Sequence, residues 1–428
     1  MQHSHEALDR PGGFAKAGLL SPLRHRDFRV LWAGMAVSLL GDGIFLIAIA
    51  WETYALWNAP AALSIVGIAM TVPTIVFLLV GGVLSDRHDR RRLMLAADAV
   101  RAAAVACLAV LVFAGALQLW ELVVLVALYG AGTAFFTPAF EAIVPDLLPR
   151  QDLAAANSLD QFVRPIALRL AGPLLGGLLV AAGAGLAFAV DAASFAVSGI
   201  AVLAMRPPRT PRAAPSVSHA GAVREGLSFI RGDPVLRWVI ALSIATALLT
   251  RPYIQLLPAE AQLLGVGAVQ LSWLLAASGA GALLGALSTA SLGNWRYRGA
   301  LLVGGSLSHG ILLTFFGFQH TVLGAMIFIG LTSFAVMLFM GMANTLMQTR
   351  TPDHLRGRAM SVHTMVFMGF MPLGQMLLGS VGTLIGIDHA FILGGLVVVA
   401  LASYVAFRVP AMREAVSLTP PRVVARSG

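Results

Sequence analysis

Twelve stretches of about 20 predominantly apolar residues constrain this chain more than any other feature of its sequence. A helix needs about 20 such residues to cross the hydrocarbon core of a bilayer. The chain is 58% hydrophobic and 11% charged, against about 25% charged in a typical soluble domain, which excludes soluble enzymes and soluble nucleic-acid-binding proteins. The predicted spans are residues 30–52, 61–84, 93–115, 119–143, 160–182, 186–204, 235–257, 269–292, 299–318, 321–346, 361–386 and 390–408.

The spans predict an all-α polytopic membrane protein whose twelve transmembrane helices form two six-helix bundles. The largest hydrophilic gap is rich in proline and arginine and lies near the middle of the chain, so we expect it to be a linker between the bundles. The predicted segments are an N-terminal segment at 1–29, a first bundle at 30–204, a linker at 205–234, a second bundle at 235–408 and a tail at 409–428.

The two halves also repeat short sequence features. Val144-Pro145-Asp146 after the fourth span matches Thr351-Pro352-Asp353 after the tenth, and Pro165 in the fifth span matches Pro372 in the eleventh, both at an offset of 207 residues. Parallel repeats of this kind are typical of secondary transporters built from two bundles.

Arginine placement predicts the orientation. Both termini and the loops after spans two, four, six, eight and ten are arginine-rich, whereas the loops at the other ends contain no lysine or arginine. Basic loops face the cytoplasm, so we expect both termini to be cytoplasmic in a bacterial inner (plasma) membrane. Arg251, placed by this prediction near the outer end of span seven, is the exception. The net charge of +9 is then a topology signal with a role for anionic lipids, and no nucleic-acid motif accompanies it.

Two motifs stand out. The loop between spans two and three reads GGVLSDRHDRRRL over residues 81–93, and span five contains GPLLGG over residues 172–177. The loop resembles the signature of the major facilitator superfamily, G-x-L-x-D-R-x-G-R-R-x-x-L, and the second stretch resembles the antiporter motif of drug:proton antiporters. The segment from residue 21 to residue 51 is similar to the enterobactin-exporter and macrolide-efflux branch. The resemblance covers nearly the whole chain.

The resemblance implies that the loop latches a cytoplasmic gate in one state and releases it in another. Gly82 would let two helices approach closely. Asp89 stands where the family has glycine and is placed to cap span three, and the arginines of the loop can pair with acids, helix C-termini or lipid phosphates. The alternative is a plain basic turn. The candidate gate residues are Gly82, Asp86, Arg87, Asp89, Arg90 and Arg91.

The span-five motif implies a seal against leak. Gly172 and Gly176 form a small-residue face at helical spacing, and Pro173 removes a backbone donor. Ordinary helix packing by small residues is the alternative. Gly177 completes this motif.

Asp42, near the middle of span one, is the first candidate for coupling. A carboxylate at mid-bilayer costs about 2.5–3.5 kcal/mol on insertion scales. It persists there if it faces a wet cavity, binds a proton or is paired, so it can carry a proton, bind a cationic substrate or simply bond two helices. Asp191, placed near the outer end of span six, is the second candidate, with a packed structural pair as its alternative.

Four further charged residues lie inside predicted spans. Asp98 and Arg101 are one helical turn apart and are expected to pair with each other or with the loop motif. Arg164 and Arg169 are expected to extend towards the cytoplasm, with binding of an anionic substrate or pairing with Glu141 or Asp160 as alternatives.

These features predict a secondary active transporter, which exports drugs, siderophores or other small hydrophobic molecules in exchange for protons. A metabolite importer or uniporter is the alternative. The family's basic residue in span four is absent, so Asp42 or Asp191 would have to substitute in proton coupling. We expect small-molecule substrates, protons and lipids as partners, a monomer, no metal, no cofactor and no enzymatic activity, since the sequence contains no metalloprotease or phosphate-loop motif.

Overall fold

The computed structural model describes residues 20–206, 219–292 and 295–412, so most of the predicted N-terminal segment and tail lies outside the described residues. Twelve described helices are long and apolar enough to cross a membrane, which confirms the predicted fold class. They are α1 Arg26–Trp57, α2 Pro60–Arg87, α3 Arg90–Phe113, α4 Leu119–Leu147, α5 Leu153–Ala182, α6 Ala184–Ala204, α7 Pro234–Leu263, α8 Ala268–Leu292, α9 Arg298–Phe316, α10 Val322–Arg350, α11 Asp353–Ile385 and α12 Ile387–Arg408.

Most helices extend past the predicted apolar runs. α11 begins at Asp353 rather than at residue 361, and α7 continues to Leu263 rather than ending at residue 257. The difference arises because hydropathy detects the hydrocarbon-crossing part of a helix, whereas the backbone hydrogen bonds continue into polar flanking sequence.

The predicted linker contains one further helix, His219–Gly232. Its Ile230 is buried, Gly226 packs against the carbonyl group of Arg358, and Glu225 forms an ion pair with Arg358. This part of the linker is therefore folded onto the start of α11.

Many exposed side chains are large and apolar. Ile200 and Leu287 keep 65% and 60% of their surface accessible, and Val110 keeps 65%. Surfaces of this kind are unfavourable in water but match lipid tails. The composition of the surface and the number of apolar helices therefore both indicate a membrane protein.

Two of the membrane helices are interrupted at the level of their middle. In α5 the residues Ala167–Ala171 form a π-helical turn. The cause is Pro173, which has no N–H for the carbonyl group of Arg169, while the Gly172 N–H bonds to Ala167 instead.

The interruption in α7 separates Pro234–Leu249 from Tyr253–Leu263. The Arg251 N–H reaches back five residues to the Thr246 carbonyl oxygen at 2.8 Å, and Pro252 is the N-cap residue of the second part. Proline is tolerated at this end of a helix because its missing N–H would have no intrahelical partner there.

Among the described residues, the halves share an apolar core at one end only. We call the end that carries Arg90 and Arg350 the basic face and the other end the opposite face. Towards the opposite face, Ile47, Tyr54 and Leu63 pack with residues of α7 and α12 in one cluster. Towards the basic face, the clusters around Phe28 and around Leu236 are separate.

Polar contacts follow the same division. The Ala61 N–H donates to Thr383 Oγ1 at 3.2 Å, and Ser64 Oγ donates to the Gln375 carbonyl oxygen at 2.6 Å. These bonds join α2 to α11 near the opposite face. The two halves are therefore closed against each other at the opposite face.

Candidate functional site

Asp42 lies partly buried on α1 and accepts a hydrogen bond from the Tyr129 hydroxyl of α4 at 2.6 Å. The Tyr129 ring stacks on Phe45, with centroids 4.3 Å apart, and meets Phe195 edge-on at 6.1 Å. Because two neighbouring rings hold the Tyr129 ring in place, the bond joins α1 to α4 at a defined point.

Asp98 and Arg101 of α3 form a buried ion pair, as the spacing predicts. The Arg101 guanidinium lies over the Phe136 and Phe195 rings, 4.4 Å from each centroid. Its side-chain stem packs against Gly132 of α4, where a side chain would leave no room for it. Arg101 is therefore held against α4 by an acid, two aromatic faces and a glycine.

Asp191 is fully buried and accepts a hydrogen bond from Ser194 at 3.2 Å. It lies about two turns inside α6, which begins at Ala184 rather than at residue 186. Any side chain at Gly41 would overlap both Asp191 and Ser194, which places Asp191 against α1, one residue from Asp42.

These contacts form one buried cluster in the first half, which we call the carboxyl cluster: Asp42, Asp98, Asp191, Arg101 and Tyr129. It holds three carboxyl groups against one guanidinium. Oδ2 of Asp98, Oδ2 of Asp191 and Nε of Arg101 have no hydrogen-bond partner among the described residues, so its polar groups are incompletely satisfied.

Arg164 pairs with Asp160 one turn away at 3.2 Å. This contact matches the predicted alternative of pairing with Asp160, rather than only an extension towards the cytoplasm. It also lines a pocket of about 40 Å³ together with Asp42 and Arg101. This pocket continues the carboxyl cluster towards the first part of α5.

The GPLLGG stretch packs on two different helices. A side chain at Gly172 would meet the Gly43 backbone, and one at Gly176 would meet Ile44, both on α1. Gly177 faces Ser272 and Ala268 of α8 in the other half. The motif therefore joins α5 to α1 within one half and to α8 across the interface, with Pro173 at the cavity described below.

The loop between α2 and α3 contacts helix ends of the first half. Asp89 caps α3 by accepting from the Arg91 and Arg92 N–H groups at 2.9 and 3.4 Å, as expected. Arg90 donates to Asp146 at 2.6 Å and to the Ala142 carbonyl oxygen at 2.8 Å, so it holds the end of α4.

Arg91 donates to the Val202 and Leu203 carbonyl oxygens at 2.9 and 2.5 Å, and therefore caps α6. Arg87 is exposed, and the Asp86 side chain lies outside the described residues.

The expectation that Gly82 brings two helices together is wrong for this conformation. No atom lies within 4 Å of where its Cβ would be, whereas Gly81 packs directly on the Ala134 carbonyl group of α4. One residue along a helix is a rotation of about 100°, and this rotation decides which glycine faces α4.

A central cavity of about 320 Å³ lies between the halves. Helices α1, α2 and α5 line it from the first half, and α7, α8 and α11 line it from the second. Pockets for small organic ligands begin at about 300 Å³. Its lining is largely apolar, with the polar side chains Thr53, Arg169, Arg251, Gln255 and Ser278.

Arg169 and Arg251 thus occupy positions that differ from the sequence-based prediction. Arg169 lines the cavity rather than extending to the basic face, because the π turn of α5 carries it there. Arg251 lies at the break in α7, not near the outer end of a span, since the helix continues twelve residues further to Leu263. The Thr-Arg-Pro sequence at 250–252 was the available signal for this break.

Sequence reasoning also missed Tyr129, Gln255 and Glu260. Glu260 is buried in α7 with one oxygen lacking a hydrogen-bond partner among the described residues. Within the described ranges, no cluster of three or more histidine, cysteine or acidic residues could hold a metal ion.

Comparison with known proteins agrees with this architecture. A family model described as transmembrane secretion effector matches residues 17–424. Macrolide efflux protein A of Streptococcus pyogenes is 27% identical over 382 residues, or 88% of this chain and 94% of that protein. Multidrug efflux pump Tap of Mycolicibacterium fortuitum is 29% identical over 395 residues, or 90% and 96%.

A solved structure shares the fold. It is a bacterial homologue of the human lysosomal transporter Spinster in an inward-facing and occupied conformation, with a TM-score of 0.72, 14% identity and coverage of 92% of this chain and 99% of that one. The family match spans nearly the full length of the chain. The chain therefore belongs to the transmembrane secretion effector family of major facilitator transporters.

Proposed function

We propose that this protein exports small, largely apolar molecules across a bacterial cell membrane in exchange for protons, by alternating access. The named relatives are macrolide and multidrug efflux proteins. The observation that carries the coupling proposal is the carboxyl cluster, in which Asp42 of α1 is bonded to Tyr129 of α4.

The basic face is cytoplasmic in this proposal, following the positive-inside rule, and both termini then lie in the cytoplasm. The halves are closed at the opposite face by the shared core and by the α2–α11 bonds. This arrangement corresponds to an inward-facing state, from which a substrate would be taken up on the cytoplasmic side.

The carboxyl cluster can couple protons to this movement. Its three carboxyl groups face one guanidinium, so fully ionised acids would leave an excess of negative charge in a buried site, which is costly. A proton bound at Asp42 or Asp191 removes part of this excess. Because Asp42 is bonded to α4 and Asp191 packs on α1, gain or loss of that proton acts on helix packing.

Arg101 replaces the basic residue that α4 lacks. It starts on α3 but its guanidinium lies over Phe136 of α4 and its stem against Gly132. The cation therefore occupies the α3–α4 interface beside Asp42, within the same pocket. One proton moving down 100 mV supplies about 2.3 kcal/mol, enough for roughly a 50-fold gradient of an uncharged substrate.

The test uses everted membrane vesicles that carry the protein, with respiration acidifying their interior. Wild type should accumulate radiolabelled chloramphenicol, a small uncharged drug, and Asp42→Asn should reduce this accumulation at least tenfold. Asp27→Asn is the matched control, because it makes the same change at the exposed start of the same helix. Normal accumulation by Asp42→Asn would contradict proton coupling through this residue.

The direction of transport is tested in intact cells. Collapsing the proton gradient should raise the internal substrate concentration for an exporter and lower it for a proton-coupled importer. We further propose that the protein acts as a monomer, since one chain supplies both walls of the cavity, with anionic lipids at the basic face.

A further inference from the structure

The break in α7 brings a cation and a helix N-terminus to the wall of the central cavity. Arg251 lies two residues before the start of the second part of α7, Tyr253–Leu263. Ile254, Gln255 and Pro258, from the first two turns of that part, line the cavity together with Arg251. The Tyr253 and Gln255 N–H groups of this turn already donate to the Thr250 and Pro252 carbonyl oxygens at 3.4 and 3.1 Å, so the turn offers an anion its positive dipole end rather than free donors.

Arg251 is buried in the cavity wall, and no counter-ion among the described residues compensates its charge. Its side chain is 91% buried, and Nε has no hydrogen-bond partner among the described residues. No ion pair involves Arg251 in the described ranges. A buried guanidinium without a partner is unfavourable, so its presence indicates that a partner arrives from outside the chain.

A second guanidinium faces the same space. Arg169 lines the cavity from α5, and the two arginines are close enough to repel each other. Arg169 belongs to the first half and Arg251 to the second, and both line the cavity in the proposed inward-facing state. No carboxylate is among the described lining residues, which leaves two positive charges without internal compensation.

The remaining lining defines what else the ligand must carry. Gln255 has a buried Oε1 without a partner among the described residues, and Ser278 adds a hydroxyl group. The other lining side chains, such as Leu46, Val66 and Leu271, are apolar. A small inorganic anion would leave these surfaces in contact with water, whereas an organic anion with an apolar body would cover them.

We infer that the central cavity binds a largely apolar organic anion, whose carboxylate, sulfonate or phosphate group lies between Arg169, Arg251 and the first turn of the second part of α7. Transport of this ligand rests on the proposed function, whereas its binding does not. The guanidinium groups would donate charge-assisted hydrogen bonds to the anion, and Gln255 and Ser278 would accept or donate further bonds at the rim of the same site.

Binding is tested with two dyes that share a xanthene ring, the anion fluorescein and the cation tetramethylrosamine. Purified full-length protein in nanodiscs is titrated with each dye by fluorescence anisotropy. Wild type should bind fluorescein saturably and in preference to tetramethylrosamine. Arg251→Met and Arg169→Met, which remove the charge but keep an unbranched apolar stem, should each weaken fluorescein binding at least tenfold, and Arg251→Lys should recover part of the loss.

Two controls separate a binding role from a structural one. Arg26→Met removes an exposed arginine at the start of α1 and should leave fluorescein affinity unchanged. The unfolding temperature of Arg251→Met without ligand should equal or exceed that of wild type, because the change removes a buried charge that lacks a partner. A large decrease in this temperature would instead mean that Arg251 has a structural role and would overturn the proposal.

The remaining outcomes also decide the question. Preference for tetramethylrosamine, absence of saturable fluorescein binding, or unchanged affinity in Arg251→Met would overturn the proposal. Displacement of fluorescein by phosphatidylglycerol in the nanodisc, or by millimolar inorganic phosphate, would assign the site to a lipid headgroup or a free anion and would overturn it too. Saturable binding without gradient-driven transport in everted vesicles would leave the anion site intact and count against the proposed efflux alone.

Discussion

Replacing Gly177 by alanine should open the transporter towards the outside. The added methyl group would lie 2.5 Å from Ser272 Oγ and 3.0 Å from the Ala268 carbonyl oxygen, both on α8 in the other half. Ordinary contacts of a Cβ atom are 3.4–4 Å. Ser272 Oγ is bonded to the Val269 carbonyl oxygen at 2.6 Å, so the side chain has a bond to lose if it moves away.

The magnitude follows from where this crowding acts. Overpacking by one methyl group costs about 1–3 kcal/mol, and here it destabilises only the state in which α5 and α8 are in contact. The higher helix propensity of alanine, about 1 kcal/mol, applies to both states and cancels. A difference of 1–3 kcal/mol shifts an equilibrium about 5–150-fold, so the outward-open population should rise by a factor in this range while that state remains the minor one.

The assay measures access to the cavity from outside the cell. Cys107, the single cysteine, is replaced by serine, and Ala50→Cys places a thiol in the cavity wall. The rate of labelling by a membrane-impermeant maleimide in intact cells then reports the outward-open population. Gly177→Ala should increase this rate by the stated factor.

Two alanine substitutions make the comparison specific. Gly172→Ala creates a similar clash, 2.6 Å from the Gly43 Cα atom, but within one half; it should lower stability without raising the labelling rate. Gly304→Ala meets no described atom within 4 Å; it should leave the labelling rate unchanged and should raise stability by about 1 kcal/mol or less, through the higher helix propensity of alanine. Equal labelling of Gly177→Ala and Gly304→Ala would refute the reasoning that this glycine sets the closure at the opposite face.

Two further predictions concern the basic face. Hydrogen bonds from Ser21 at 2.7 Å and His25 at 2.9 Å hold the pKa of Asp152 below its usual value of 3.8. The ionised Asp152 therefore stabilises the folded protein above pH 3.8, and this stabilisation is lost as the pH falls through the lowered pKa. The unfolding temperature of Asp152→Asn, measured between about pH 6 and pH 3, should accordingly depend less on pH than that of wild type. Arg91→Met should lower the free energy of unfolding by about 1–2 kcal/mol, because its charge-assisted bonds to α6 are lost. The Arg92 side chain is 88% exposed, so Arg92→Met should change the free energy of unfolding by less than about 0.5 kcal/mol. Equal effects of the two substitutions in chemical denaturation would contradict the capping role of Arg91.

The helix count and fold could be predicted because the bilayer imposes a single length and composition on every span. The ion pair of Asp98 with Arg101 was predictable for a similar reason, since residues three apart share a helix face. Contacts between different helices could not be predicted in this way. Whether Asp42 meets Tyr129, or Gly81 rather than Gly82 meets α4, depends on the rotation of each helix about its axis, which one sequence does not determine.

The two arginines of the cavity illustrate a second limit. A hydropathy window averages Arg251 and Pro252 with their apolar neighbours and records only a weaker span. The physical signal is local: proline removes a hydrogen-bond donor, and a buried cation requires water or an anion nearby. Read together, Thr250, Arg251 and Pro252 indicate a broken helix at a polar cavity, and Pro173 indicates the same for α5.

The divided core has a consequence for how the chain assembles. The cluster around Phe28 uses only residues of the first half, and the cluster around Leu236 uses only residues of the second. Both can form from segments that leave the ribosome together. The cluster that joins Ile47 and Leu63 to Phe391 requires contacts between residues more than 300 positions apart, and such distant contacts form late. We therefore expect closure at the opposite face to follow the formation of the two separate cores, and the proposed transport cycle to reverse this closure while both halves stay folded.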